Sequence, residues 1–399
     1  MLRRSKGKAG AHPITDMAFP DVARFGAFVG LFLSSFECGM LLLDMFGSPV
    51  PQPGLKSRTW SFSGANPLIL AEEKSCSWRA RLRRVAPFII GGFSGLALYL
   101  APADTRMPIA LFFGVRAFEV LCRLGVNHGV VMRIPHADTA LMALASAQVI
   151  YAWFYEPGSL DPGYRRFLDH QGGRPVFMKD AFARWVSREA IDPEQIDKMN
   201  AHRSNLGLAA LAAAGIQDQN GCAISHPETP FCTLFVLRFF CQSFMRALPV
   251  YIPVYLLPLV IFKSSKLVSD PVNVGHHVLA GILRSSGFLA SYCSVAWFIS
   301  CWARPFVARS RLLSCLAGFG AGTTVLAEKK PRRIELGLYV FTQALQSTFR
   351  LLKSRGTIGD IVGGDIALFV GAAAVIMYCY VREPTTIRPG YFSLLRWYV

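Results

Sequence analysis

The sequence predicts an all-α, polytopic integral membrane protein, made of two repeated four-helix halves with GxxxG-packed helices. Three observations carry this reading. Charged residues make up 17% of the chain and hydrophobic residues 52%, whereas a soluble domain would carry about 25% charged residues. Several runs approach the length of about 20 mostly apolar residues that a lipid-spanning helix needs. The chain also resembles itself when slid along its own length.

The apolar runs come first. Ala18–Phe46 holds two interior charges, Arg24 and Glu37, while Thr139–Tyr155, Ser285–Trp302 and Ile366–Val381 are cleaner. Mean hydropathy is +0.36. The first run is too long for a signal-peptide core and follows a polar stretch, so it reads as a retained helix after a basic tail, 1–17.

The repeat organises the rest. A shift of 227 positions (318 − 91) aligns Arg84–Leu168 with Arg311–Leu395 without a gap. Gly91 and Gly95 fall on Gly318 and Gly322, Arg123 on Arg350, and Asp138 on Asp365. Glu156 and Pro157 fall on Glu383 and Pro384, and Pro162, Gly163 and Tyr164 on Pro389, Gly390 and Tyr391. Shared hydrophobicity does not account for matched Arg, Asp, Glu-Pro and Pro-Gly-Tyr. The expected organisation is a first membrane repeat at 18–155 and a polar linker at 156–230. A cysteine- and proline-rich segment follows at 231–272, and a second repeat at 273–399.

Within each half, Gly91 with Gly95 and Gly318 with Gly322 place two glycines on one helix face. Helices in lipid gain contact through such close backbone approach. Leucine at Gly91 or Gly318 should therefore lower folded yield, with Lys179 in the polar stretch as an exposed comparison. Arg116, Glu119 and Arg123 share a helix face, and Glu119 with Arg123 has the i,i+4 spacing of an ion pair. Asp138 and Asp365 open the fourth helices, where a carboxylate caps free N–H groups and meets the positive dipole end. In the linker segment, Pro249, Pro253 and Pro258 predict an amphipathic helix at 231–247 and then a bent, re-entrant stretch, which would leave the two halves parallel.

The net charge is +17, yet 156–230 holds eight Lys/Arg against ten Asp/Glu. The basic excess lies in the tails and short loops, where it suits anionic headgroups. Membrane lipids are the expected partners, other membrane proteins are further candidates, and nucleic acid is excluded. Oligomeric state is left open. There is no GxSxG, HExxH, P-loop or dinucleotide fingerprint, so no catalytic residue, cofactor or enzymatic activity is expected. Cys222, His226 and Cys232 form one cluster of soft ligands at short spacing. Zinc would want a fourth ligand and the sequence offers no obvious one, so no metal is expected there, and a tight Pro-rich turn or a redox-sensitive pair is the expected reading.

Around that cluster, His226-Pro-Glu-Thr-Pro-Phe-Cys232 and the Pro-punctuated run Leu248–Pro258 resemble the cysteine-rich region of the transmembrane protein 135 family. Arg284-Ser-Ser-Gly-Phe288, Gly318–Gly322 before Glu328-Lys-Lys-Pro-Arg-Arg333, and Ala344–Arg350 continue the likeness. That family is related to the mitochondrial import-channel and peroxisomal membrane protein superfamily. The resemblance implies a non-enzymatic peroxisomal or mitochondrial membrane protein linked to lipid metabolism or transport and organelle dynamics. The alternative is a membrane-embedded lipid-modifying enzyme.

Overall fold

The computed structural model describes residues 19–45, 78–211, 221–262, 269–304, 306–307, 310–359 and 361–388. The basic tail, most of the loop after the first apolar run, and Pro389–Tyr391 lie outside the described residues. Among those described there are thirteen α-helices and no strand. The first half contributes α1 (Phe19–Met45), α2 (Trp78–Gly95), α3 (Ala103–Asn127) and α4 (Ala137–Tyr155). Four short helices follow: α5 (Pro162–Gly172), α6 (Val176–Ser187), α7 (Pro193–Asn205) and α8 (Gly221–Ser225). The chain then forms α9 (Cys232–Phe262), α10 (Pro271–Trp302), α11 (Leu312–Thr323), α12 (Lys330–Ser354) and α13 (Gly364–Arg382).

A shift of 227 residues also relates several of the described elements. It carries α3 onto α12, both of 25 residues, and α4 onto α13, both of 19. It also carries the 3₁₀ turn at Pro157–Ser159 onto Pro384–Thr386. Arg106 donates to the Ala101 and Tyr99 carbonyls at 2.9 and 2.6 Å, and Arg333 donates to those of Glu328 and Leu326, both at 2.7 Å. Each arginine thus ties the first turn of the third helix to the turn before it.

The compact units do not follow the halves read from the sequence. One unit comprises residues 1–134 with 360–399, and the other 135–359. In the first unit α13 packs on α2 and α3; in the second, α4 packs on α11 and α12. The fourth helix of each half therefore sits with the other half's second and third helices. The ion pairs repeat the exchange: His128 meets Glu383 at 3.4 Å, and at the shifted positions Arg355 meets Glu156 at 3.3 Å. Because both halves carry the same small-residue motif, the pattern alone cannot say which fourth helix it receives.

Phenylalanines form the core of the first unit. Phe28, Phe32 and Phe113 surround Phe369 of α13 with ring centroids 4.9–5.7 Å apart, the edge-to-face range in which aromatic pairs gain beyond their area.

In the second unit α9 is one continuous 31-residue helix, although it contains all three prolines. This corrects the amphipathic-plus-re-entrant reading of 231–272 and removes the ground for parallel halves. Phe235, Phe239, Ser243, Ala247 and Tyr251, spaced by four, are buried, while the prolines are exposed. A helix in lipid tolerates such prolines where neighbouring groups re-satisfy the freed carbonyls. α9 runs antiparallel to α10: Phe239 meets Trp297, and Tyr255 bonds Ser285 at 3.0 Å.

Four described helices are long and apolar enough to cross a membrane, over Ala23–Leu42, Cys232–Val260, Pro271–Trp302 and Gly364–Arg382. α4, expected as a span, is not among them; polar Thr139, Ser146 and Gln148 lower its hydropathy, and it buries ten residues in the second unit.

The described residues of the stretch read as a polar linker are folded. Helices α5 to α8 form a cap on the end of α4 and α10, with Phe182 and Trp185 joining Trp153, Phe154 and Trp297 in one core. Lys179 is accordingly not a surface residue. It is 1% exposed, lies 3.5 Å from Asp169 and 3.4 Å from Asp180, and sits over the Trp153 ring at 5.2 Å. Trp153 donates to the same Asp169 at 2.7 Å. Lys179→Leu strands a half-buried carboxylate and should cost about 3 kcal/mol. Thermal unfolding in detergent checks this, with Lys198→Leu, whose side chain is 54% exposed, leaving the midpoint unchanged.

Candidate functional site

Two features of the second unit have the makings of a site. The first is a cavity of about 160 Å³ where α5 of the cap meets α4, α10 and α12. Its walls are apolar and aromatic, including Phe154, Phe288, Leu289, Ala296 and Trp297. Four tyrosines (164, 251, 292 and 339) line it as well. Gln171 closes one side: it is 1% exposed, its amide nitrogen donates to the Arg246 carbonyl at 3.3 Å, and its Oε1 has no partner. A buried amide oxygen without a donor costs about 1–3 kcal/mol. The chamber is apolar apart from a few polar tips, as small-molecule sites are.

The second feature is the cluster at Cys222. The short helix α8 carries Cys222, the turn after it carries His226, and Cys232 is the first residue of α9. The structure adds Cys301 from the last turn of α10, and the four donor atoms lie within 4.8 Å of one another. His226 Nε2 is 3.6 Å from Cys232 Sγ and 3.5 Å from Cys301 Sγ, and Cys222 Sγ is 3.4 Å from Cys232 Sγ. His226 is 1% exposed and stacks on Phe235 at 4.5 Å. Its Nδ1 lies 2.9 Å from the Thr229 carbonyl, so that nitrogen donates and Nε2 faces the sulfurs as an acceptor. Arg304, over the Trp185 ring, donates to Cys222 Sγ at 3.4 Å. Hydrogen bonding from Cys301, with help from His226, Cys232 and Arg304, outweighs burial and holds the Cys222 thiol down at about 3. For His226, burial opposes the imidazolium, but the Cys222 and Thr229 contacts raise its pKa overall. The expectation of no fourth ligand is corrected here. Cys301 stands 75 residues from His226 inside an apolar run, where a cysteine reads as a small hydrophobe.

The remaining residues singled out by the repeat occupy structural positions. A Cβ on Gly91 would lie 2.7 Å from Met377 Cβ, and one on Gly95 2.9 Å from Val370 Cα. On Gly318 it would strike the Ser146 carbonyl, and on Gly322 the Ala143 backbone. Asp138 and Asp365 lie in the first turns of α4 and α13 rather than at the caps, which are His136 and Gly363, both left-handed with φ +57° and +72°. Asp138 accepts from its neighbour Thr139 N–H at 2.9 Å, so its role is one of dipole and first-turn hydrogen bonding. Arg123 pairs with Glu119 at 3.1 Å, and Arg350 donates to the Ser159 carbonyl at 3.4 Å. Glu119 also meets Arg388 at 2.6 Å and Arg116 at 3.5 Å.

The fold and this junction define a helical membrane protein in which cysteines and a histidine meet where a cap adjoins an apolar helical hairpin. Residues 218–352 match the family model described as the N-terminal cysteine-rich region of Transmembrane protein 135. The match contains all four cluster residues. No solved structure matches the chain.

Proposed function

We propose that this is a non-enzymatic membrane protein of the peroxisome or mitochondrion that holds an apolar part of a lipid in the chamber beneath its cap. The observation that carries the reading is the aromatic-walled cavity with the unpartnered Gln171 Oε1. At about 160 Å³, the cavity suits a ring or a short stretch of acyl chain; apolar cavities of this size bind benzene-sized molecules. The free oxygen favours a molecule with a hydroxyl or amide donor near that stretch. The organelle and the link to lipid metabolism rest on the family resemblance.

Mass spectrometry of lipid co-purified in mild detergent tests the reading. Wild type should retain a defined lipid, and Ala296→Trp, which fills the chamber, should reduce it about tenfold at unchanged helix content. Equal lipid in both proteins overturns the assignment. Chemical conversion of the retained lipid by purified wild type would instead favour the enzymatic alternative.

A further inference from the structure

We propose that Cys222, His226, Cys232 and Cys301 form a structural zinc site that fastens the cap to one end of the α9–α10 hairpin. The donor set and its spacing carry the inference. Tetrahedral zinc holds thiolates at about 2.3 Å and imidazole nitrogen at about 2.0–2.1 Å, which puts neighbouring ligand atoms roughly 3.5–3.8 Å apart. The 3.5 and 3.6 Å contacts of His226 fall in that range, and the 3.4 Å contact of Cys222 with Cys232 is a little shorter than a thiolate pair on zinc. The histidine is oriented as a metal ligand needs, with one ring nitrogen engaged by a backbone carbonyl and the other aimed at the sulfurs. Zinc with three thiolates carries a charge of −1, and the Arg304 guanidinium stands against Cys222 to balance it. All four positions are filled by protein side chains, which is the closed arrangement of structural rather than catalytic zinc.

The placement states what the metal does. Its ligands come from α8 and the turn after it, from the first residue of α9 and from the last turn of α10. Binding there joins the cap to both members of the hairpin, and the binding free energy becomes folding free energy. A thiol pair, Cys222 with Cys232, could instead oxidise to a disulfide. That would leave Cys301 and His226 without a role, and it does not use the Arg304 charge.

Full-length protein purified under reducing conditions without chelator should contain one zinc per chain by elemental analysis. Cys222→Ser and Cys301→Ser should each lose it, and Cys241→Ser, an exposed cysteine on α9, should retain it. Because a ligand variant can fail to fold, wild type exchanged with Co²⁺ supplies a second readout. It should show the ligand-field absorption of a tetrahedral sulfur-rich site together with thiolate charge-transfer bands. The proposal is overturned if folded, zinc-supplemented wild type holds no stoichiometric metal or if Cys301→Ser keeps its zinc. A Cys222–Cys232 disulfide in protein purified with its native metal content would overturn it too. None of these readouts depends on what occupies the chamber.

Discussion

Replacing Gly318 by leucine should largely abolish folded protein in membranes. The new Cβ would meet the Ser146 carbonyl and the Ala147 Cα, both backbone atoms of α4. Backbone cannot rotate aside as a side-chain tip can, so α11 and α4 would have to separate along their length. Overpacking in ordinary cores costs about 1–3 kcal/mol; against backbone the cost should reach or exceed the top of that range. Gly322→Leu should behave alike. Gly91→Leu should be milder, since its nearest neighbour is the Met377 side chain, although the Ala373 carbonyl lies 3.0 Å away. Gly26→Leu, with nothing within 4 Å, is the matched comparison. Size-exclusion profiles of the four variants in detergent check this, and equal monodisperse yields for Gly318→Leu and Gly26→Leu would remove the close-approach argument.

Glu119→Ala should unfold the first unit almost as effectively. Glu119 is 8% exposed, and its carboxylate serves Arg116, Arg123 and Arg388 together. Removing it leaves three guanidinium groups close to one another with their shared counter-charge gone. Breaking a buried ion pair from one side costs about 3–5 kcal/mol. Glu119→Gln, which keeps the hydrogen-bond acceptor and loses the charge, should recover part of the loss. Thermal unfolding of the three proteins orders them, and an alanine variant as stable as wild type would show that the arginines find other partners. The shifted position in the second half is Gln346, beside Ser347, which is bonded to Ser159 at 2.7 Å.

Much of this was legible in residue pattern. The apolar runs, the Glu119–Arg123 pair and the three neighbouring residues Cys222, His226 and Cys232 can all be read locally, because each depends on spacing along a helix or a turn. Lys179 was misread for the same reason. A charged residue in a polar stretch looks solvated until Trp153 and Asp169, 26 and 10 residues before it, are placed against it. The prolines of α9 also misled, because their local cost is plain while the neighbouring groups that absorb it are distant in sequence.

What the sequence by itself determined is therefore the kind of protein: helical, membrane-embedded, with a soft-ligand cluster at one point. Composition and periodicity decide the first two, since these follow from transferring each helix into lipid. Tertiary structure alone decided which fourth helix each half receives, that α9 runs unbroken beside α10, that the supposed linker is a packed cap, and that Cys301 and Arg388 complete their clusters. Each of these depends on shape and charge matching between segments up to 269 residues apart. Local spacing carries no information about such distant partners, so only the folded chain decides them.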